Sequence, residues 1–160
     1  MNQIAFSSTL RANMKLSQKI FFIVFFLVLD QVTKWMALYG LSHTISLFSF
    51  FSLRVAHNTG IAFSFPFPTV LLLLVSAVLL FIVAWELFKA PLSRILSFSF
   101  ILIFSGGIGN FLDRVVIGSV IDFLSFGNFP IFNLADTYIT VGIVLLLWIE
   151  FFGAIKSQHQ

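Results

Sequence analysis

Four apolar blocks divide the chain, running from about Leu16 to Leu38, Thr69 to Phe88, Ile95 to Leu112 and Asp136 to Phe152. A bilayer's hydrocarbon core is about 30 Å thick and takes roughly 20 helical residues to cross, so each block is long enough or nearly so. In lipid every backbone polar group must be satisfied within its own segment, which makes these blocks helices. The composition agrees: 59% of the residues are hydrophobic and 9% charged, and the mean hydropathy is +1.07. A soluble globule needs far more charge to dress its surface. The expected architecture is therefore mainly α, a four-span membrane protein, and the absence of internal repeats or low-complexity linkers points to a single domain over residues 1–160.

Charge gives the orientation. Arg11, Lys15 and Lys19 precede the first block, Lys89 and Arg94 flank the short link "KAPLSR", and Lys156 follows the fourth, whereas Lys34, Arg54 and Arg114 fall on the opposite side. Six against three places both termini in the cytoplasm. The basic start resembles a signal peptide's n-region, but Asp30 interrupts the apolar run and no small-residue cleavage site follows, so the first span is expected to remain uncleaved. The formal charge of +3 mostly expresses this bias, and no basic surface with interleaved aromatics suggests nucleic acid.

Several chemistries are excluded or disfavoured. The sequence contains no cysteine, so disulfides and thiolate sites do not arise. His43, His57 and His159 show no metal-ligand spacing, and neither a metal nor a cofactor is expected. "SGGIGN" (Ser105 to Asn110) lacks the Lys-Ser/Thr ending of a phosphate loop and reads instead as small residues for close helix packing.

What function there is should lie on the outer side, where the first connection (Tyr39 to Pro68) and the third (Asp113 to Ala135) are long. "ISLFSFFSLRVAH" alternates partly at period 2 and predicts short strands, ended by "PFP". Half of the six acidic residues, Asp113, Asp122 and Asp136, fall in or beside the third connection. Asp122 and Asp136 are separated by a segment containing Gly127, Asn128 and Pro130 that can fold back on itself and let their carboxyl groups meet. Two carboxylates sharing a site cannot both ionise cheaply, which leaves an acid beside a base able to activate water. The simpler reading of Asp136 is a helix cap. Asp30, past the middle of its block, is costly in lipid unless partnered; it either packs against Lys34 at i+4 or props up a polar site. Asp113 and Arg114 suggest an ion-pair network at the end of the third span, with positioning of a substrate carbonyl or phosphate as the alternative for Arg114. Asn58, Asn110 and Asn133 are either turn formers and caps or amides that hold an extended peptide. Glu86 and Glu150 are expected to be solvated at the cytoplasmic ends of their spans.

"DQVTK" (Asp30 to Lys34), "NTGIAFS" (Asn58 to Ser64, with Gly60), "GNFLDR" (Gly109 to Arg114), "VIDF" (around Asp122) and "FNLADT" (around Asn133 and Asp136) stand in the order and spacing of the lipoprotein signal peptidases, or signal peptidase II, a family of bacterial membrane aspartic endopeptidases. The resemblance covers roughly Phe22 to Ile149. It implies four transmembrane helices with a small periplasmic β-cradle and a short interfacial helix, and cleavage of diacylglyceryl-modified prolipoproteins on the amino side of the lipidated cysteine. By the same resemblance Asp122 and Asp136 are the catalytic pair, and Asn58, Asn110, Arg114 and Asn133 line the site for substrate and for the inhibitor globomycin. Asp30, Lys34, Gly60 and Asp113 support them. The implied setting is the inner membrane, with the site on the periplasmic side and membrane lipid around a monomer. Thr137 departs from the family's commoner Ser but keeps the hydroxyl. A proton-coupled carrier and a non-catalytic scaffold are the competing classes; the chain lacks the repeated halves usual in carriers, and a scaffold has no need of paired outer-edge aspartates.

Overall fold

A computed structural model describes residues 13–60 and 68–157. Four helices, α1 (Leu16–Gly40), α2 (Thr69–Lys89), α3 (Arg94–Ile117) and α4 (Leu134–Ser157), are joined by a small sheet of β1 (Ile45–Phe48), β2 (Phe51–Asn58) and β3 (Val120–Phe126). All four helices are long and apolar enough to cross a membrane. The short interfacial helix implied by the family resemblance is not among the described residues, and most of "NTGIAFS" and "PFP" also lies outside them.

α3 is the central helix, packed against each of the other three. Its small residues permit this. A methyl group added at Gly106 would collide with the Ala135 carbonyl of α4, and one at Gly107 would come within 2.9 Å of Leu80 on α2. α2, by contrast, fully buries only Leu87 among its apolar side chains. Its remaining surface is one that lipid can solvate. Edge-on and tilted ring contacts link α1 to α3 and α4, with Phe22 5.9 Å from Phe98 and Phe26 5.0 Å from Tyr138. Near the start of α1 Lys19 Nζ donates to the Leu87 carbonyl at 2.6 Å, satisfying one of the acceptors a helix C-terminus leaves free.

The sheet is antiparallel in the order β1-β2-β3. β1 and β2 occupy the alternating stretch that predicts them. β3 is an additional strand, and its pairing sets Ala56 opposite Asp122 and Asn58 opposite Val120. After β3 the chain turns through Gly127, whose φ of +52° favours glycine. It then returns to pair Phe132 with Leu124 through reciprocal N–H···O bonds of 2.8 and 3.0 Å. That return delivers Asn133 and the start of α4 beside Asp122.

The end of α3 differs from the sequence expectation. The helix continues past Leu112 to Ile117, where Gly118 (φ +81°) closes it and donates its N–H to the Arg114 carbonyl at 3.1 Å. Asn110, Asp113 and Arg114 thus share one helical face at i, i+3 and i+4, and Asp113 is buried rather than exposed in a connection.

Candidate active site

At the end of the bundle that carries the sheet, two aspartates from different elements meet three asparagines. Asp122 comes from the middle of β3, and its exposure is 2%. Asp136 comes from the first turn of α4. Asn133 lies between them: its Nδ2 donates to Asp122 Oδ1 at 2.7 Å, and its backbone N–H donates to Asp136 Oδ2 at 3.2 Å. The remaining carboxylate oxygens are also claimed, Asp122 Oδ2 by Asn58 Nδ2 at 3.0 Å and Asp136 Oδ1 by Asn110 Nδ2 at 2.8 Å. Each oxygen of the pair therefore accepts an N–H from an asparagine.

Part of this arrangement is a helix cap. Asp136 returns its own N–H to Asn133 Oδ1 at 2.9 Å, which closes a reciprocal capping box with Asn133 at the N-cap and Asp136 three residues on. The cap and the paired carboxyl group are one device: capping fixes the rotamer that aims Asp136 at the site. Thr137 uses the hydroxyl it shares with serine to donate to the Asn133 carbonyl at 3.1 Å.

Behind the pair lies a buried ion cluster. Lys34 has no exposed surface and bridges Asp30 at 2.8 Å and Asp113 at 2.9 Å. It also donates to Asn110 Oδ1 at 3.0 Å, and the same oxygen accepts from Asn133 Nδ2 at 3.2 Å. Two donors on one face of the Asn110 amide leave its own N–H₂ to face Asp136. The two carboxylates of the cluster reach forward as well. Asp30 Oδ1 accepts the Ala135 N–H at 2.9 Å, and Asp113 Oδ2 accepts the Ile121 N–H at 3.2 Å. Gly109 makes room for this, since a Cβ there would strike Asp30. The ion-pair partner of Asp113 is Lys34; Arg114 forms none among the described residues. Arg114 instead donates to the carbonyls of Asn110 at 3.4 Å and Gly60 at 3.3 Å, and Gly60 is held in turn by its N–H to Asn58 Oδ1 at 3.1 Å. Among the described residues Arg114 Nε is buried with no hydrogen-bond partner.

Gln31 belongs to the cluster too, donating to Asp113 Oδ1 at 3.0 Å and to Asp30 Oδ2 and the Gly109 carbonyl at 3.3 Å. The sequence reading overlooked it, although a glutamine inside an apolar span is itself a signal of a polar partner.

Two cavities open on the pair. One, of about 660 Å³, runs between α2 and α4; Leu72, Ile139 and Val141 line it, with Arg114 and Asp136 at its polar end. The other, of about 290 Å³, lies over the sheet and is lined by Arg54, His57, Asn58, Asp122 and Asn128. Burial, and after it the nearby charge of Asp136, push the Asp122 carboxyl up to about 6, against the opposing pull of the Asn58 and Asn133 amides and of Lys34. Asp122 thus holds its proton to a higher pH than an ordinary carboxyl group does. Among the described residues no cluster has the composition of a metal site.

A family described as signal peptidase (SPase) II matches residues 22–152. The chain belongs to the signal peptidase II family. It is 38% identical to the lipoprotein signal peptidase of Pelodictyon phaeoclathratiforme over 149 residues, covering 81% of this chain and 88% of that one. It is 37% identical to the lipoprotein signal peptidase of Polynucleobacter necessarius over 151 residues, covering 83% and 90%. A solved structure described as a bacterial membrane enzyme, determined by the in meso method, superposes with a TM-score of 0.81 at 25% identity, covering 94% of this chain and 96% of that one. As a signal peptidase II family member with four apolar helices, the chain is a multi-pass bacterial membrane protein and a peptidase.

Proposed function

We propose that the chain is a single integral membrane domain that removes signal peptides from diacylglyceryl-modified prolipoproteins, cutting on the amino side of the lipidated cysteine with Asp122 and Asp136 as an aspartic dyad. The observation that carries this reading is the bridge through Asn133, which holds both carboxylates from one residue at 2.7 and 3.2 Å in front of a cavity with an apolar wall. Kinship with proteins named lipoprotein signal peptidase supplies the substrate class.

In this mechanism a water lies between the carboxyl groups. Asp136 takes its proton as the oxygen attacks the scissile carbonyl carbon, and Asp122, holding the pair's other proton, donates a hydrogen bond to the developing oxyanion. Collapse of the tetrahedral species breaks the C–N bond, and the proton gained by Asp136 passes to the leaving amine. Burial makes Asp122 the favoured seat of the pair's proton. Asn58, Asn110, Arg114 and Asn133 hold the locally unwound peptide, and the free Arg114 Nε is available to a substrate carbonyl. The cavity between α2 and α4 takes apolar substrate groups, and globomycin competes for the same space. The positive-inside bias puts the termini in the cytoplasm and the site at the periplasmic face. The enzyme acts as a monomer in its lipid.

The test is cleavage of a synthetic diacylglyceryl-cysteine signal peptide by the purified protein in detergent, with products mapped by mass. A single cut before the modified cysteine, blocked by globomycin, is expected. An intact peptide after incubation with folded enzyme would overturn the proposal.

A further inference from the structure

The mechanism uses the apolar cavity and leaves the smaller polar one without an occupant. Asp136 lines the first and Asp122 the second, while Asn58, Phe129, Pro130 and Ile131 belong to both. A peptide bond cleaved between the aspartates therefore has one flank at each cavity. The signal segment and the acyl chains are apolar and partition to lipid or to the cavity between α2 and α4. The flank that suits a small polar cavity over the sheet is the chain that leaves for water, the mature lipoprotein.

The chemistry of that cavity is specific. Arg54 and His57 line it with the Asn128 amide. Arg54 is exposed, and among the described residues it has no hydrogen bond or ion pair. Arg54, Ala56 and Asn58 all line this cavity, and four strand residues at about 3.3 Å each put Arg54 roughly 13 Å from Asn58. An extended substrate advances by a similar rise, so a guanidinium there meets the second to fourth residue beyond a cut made at Asn58 and Asp122.

We propose that the polar cavity holds the first residues of the mature chain and that Arg54 favours an acidic side chain at the second to fourth position after the cut. This inference rests on the peptidase reading and adds a specificity determinant to it.

The experiment compares kcat/KM for diacylglyceryl-cysteine peptides carrying aspartate or lysine at each of those positions, using the full-length protein, Arg54→Gln and Arg54→Glu. At the best position the wild type should favour aspartate about twofold to fivefold, the range that a largely exposed ion pair supplies. Arg54→Gln should bring the ratio near one, Arg54→Glu should invert it, and cleavage of a serine-bearing peptide should remain within about twofold in both. A ratio that stays the same in all three proteins, with cleavage intact, would overturn the inference while leaving the peptidase standing. If the wild type cuts none of the peptides, the peptidase reading falls and takes this inference with it.

Discussion

Asp30 Oδ1 accepts the Ala135 N–H at 2.9 Å, one residue before Asp136. Asp113 does the same for Ile121, one residue before Asp122. Lys34 joins the two acceptors, so one buried ammonium holds the backbone on which both aspartates of the proposed dyad are mounted. Removing one partner of a buried pair leaves the other charge uncompensated and costs about 3–5 kcal/mol. Lys34→Met should accordingly lower the thermal midpoint in detergent and reduce turnover even where the protein stays folded. Unchanged stability and rate would separate the cluster from the site.

Asp136 both caps α4 and faces Asp122, and two substitutions separate these roles. Asn at 136 still offers a side-chain oxygen to the Asn133 N–H; Ala does not, and loss of the box should cost about 1 kcal/mol. Thermal unfolding should rank Asp136→Asn above Asp136→Ala, while both lose at least about 10²-fold in cleavage rate. Retained activity in Asp136→Ala would reduce the residue to a cap.

The raised Asp122 carboxyl gives a signed pH dependence. Burial lifts it to about 6, so Asp122 holds a proton below that value and loses it as pH rises through it, and with it the donor to the oxyanion. The kcat/KM profile should have an alkaline limb near 6. The Asn58 amide favours the ionised form, so Asn58→Ala should move that limb to higher pH. Movement to lower pH would contradict the assignment of the proton. Stability follows the same sign: because the folded-state pKa is the higher one, the contribution from Asp122 is complete below the ordinary carboxylate value and disappears as pH rises through about 6.

Gly106 and Gly109 are small because a neighbour occupies the space a methyl group would need, a backbone carbonyl in the first case and Asp30 in the second. Overpacking costs about 1–3 kcal/mol. Gly106→Ala meets backbone and should destabilise the protein more; Gly109→Ala displaces a carboxylate and should reduce activity more than stability. Chemical denaturation and the cleavage rate of each variant would check the order.

The four spans were legible because length and apolarity leave a bilayer segment few alternatives, and the first two strands because "ISLFSFFSLRVAH" alternates. β3 was not: "VIDFLSF" is a short, nearly continuous apolar run, and such runs carry no period that separates strand from helix. The end of α3 was misplaced because Asp113 and Arg114 look like the polar edge of a span. The helix continues because Asp113 turns inward to Lys34, a partner 79 positions away in the sequence. Asn133 and Asp136 have capping-box spacing, but nothing local announces that the same amide reaches Asp122 across a folded-back turn. The Asp30–Lys34 pair was readable from i+4 spacing, whereas its forward bond to Ala135 depends on tertiary packing.

The most direct measurement of the dyad is the cleavage rate of one diacylglyceryl-cysteine peptide by the wild type, Asp122→Asn and Asp136→Asn, with detergent elution profiles and thermal midpoints recorded on the same samples. Each variant should remain folded and lose cleavage. A folded variant of either kind that still cuts before the cysteine at close to the wild-type rate would contradict it.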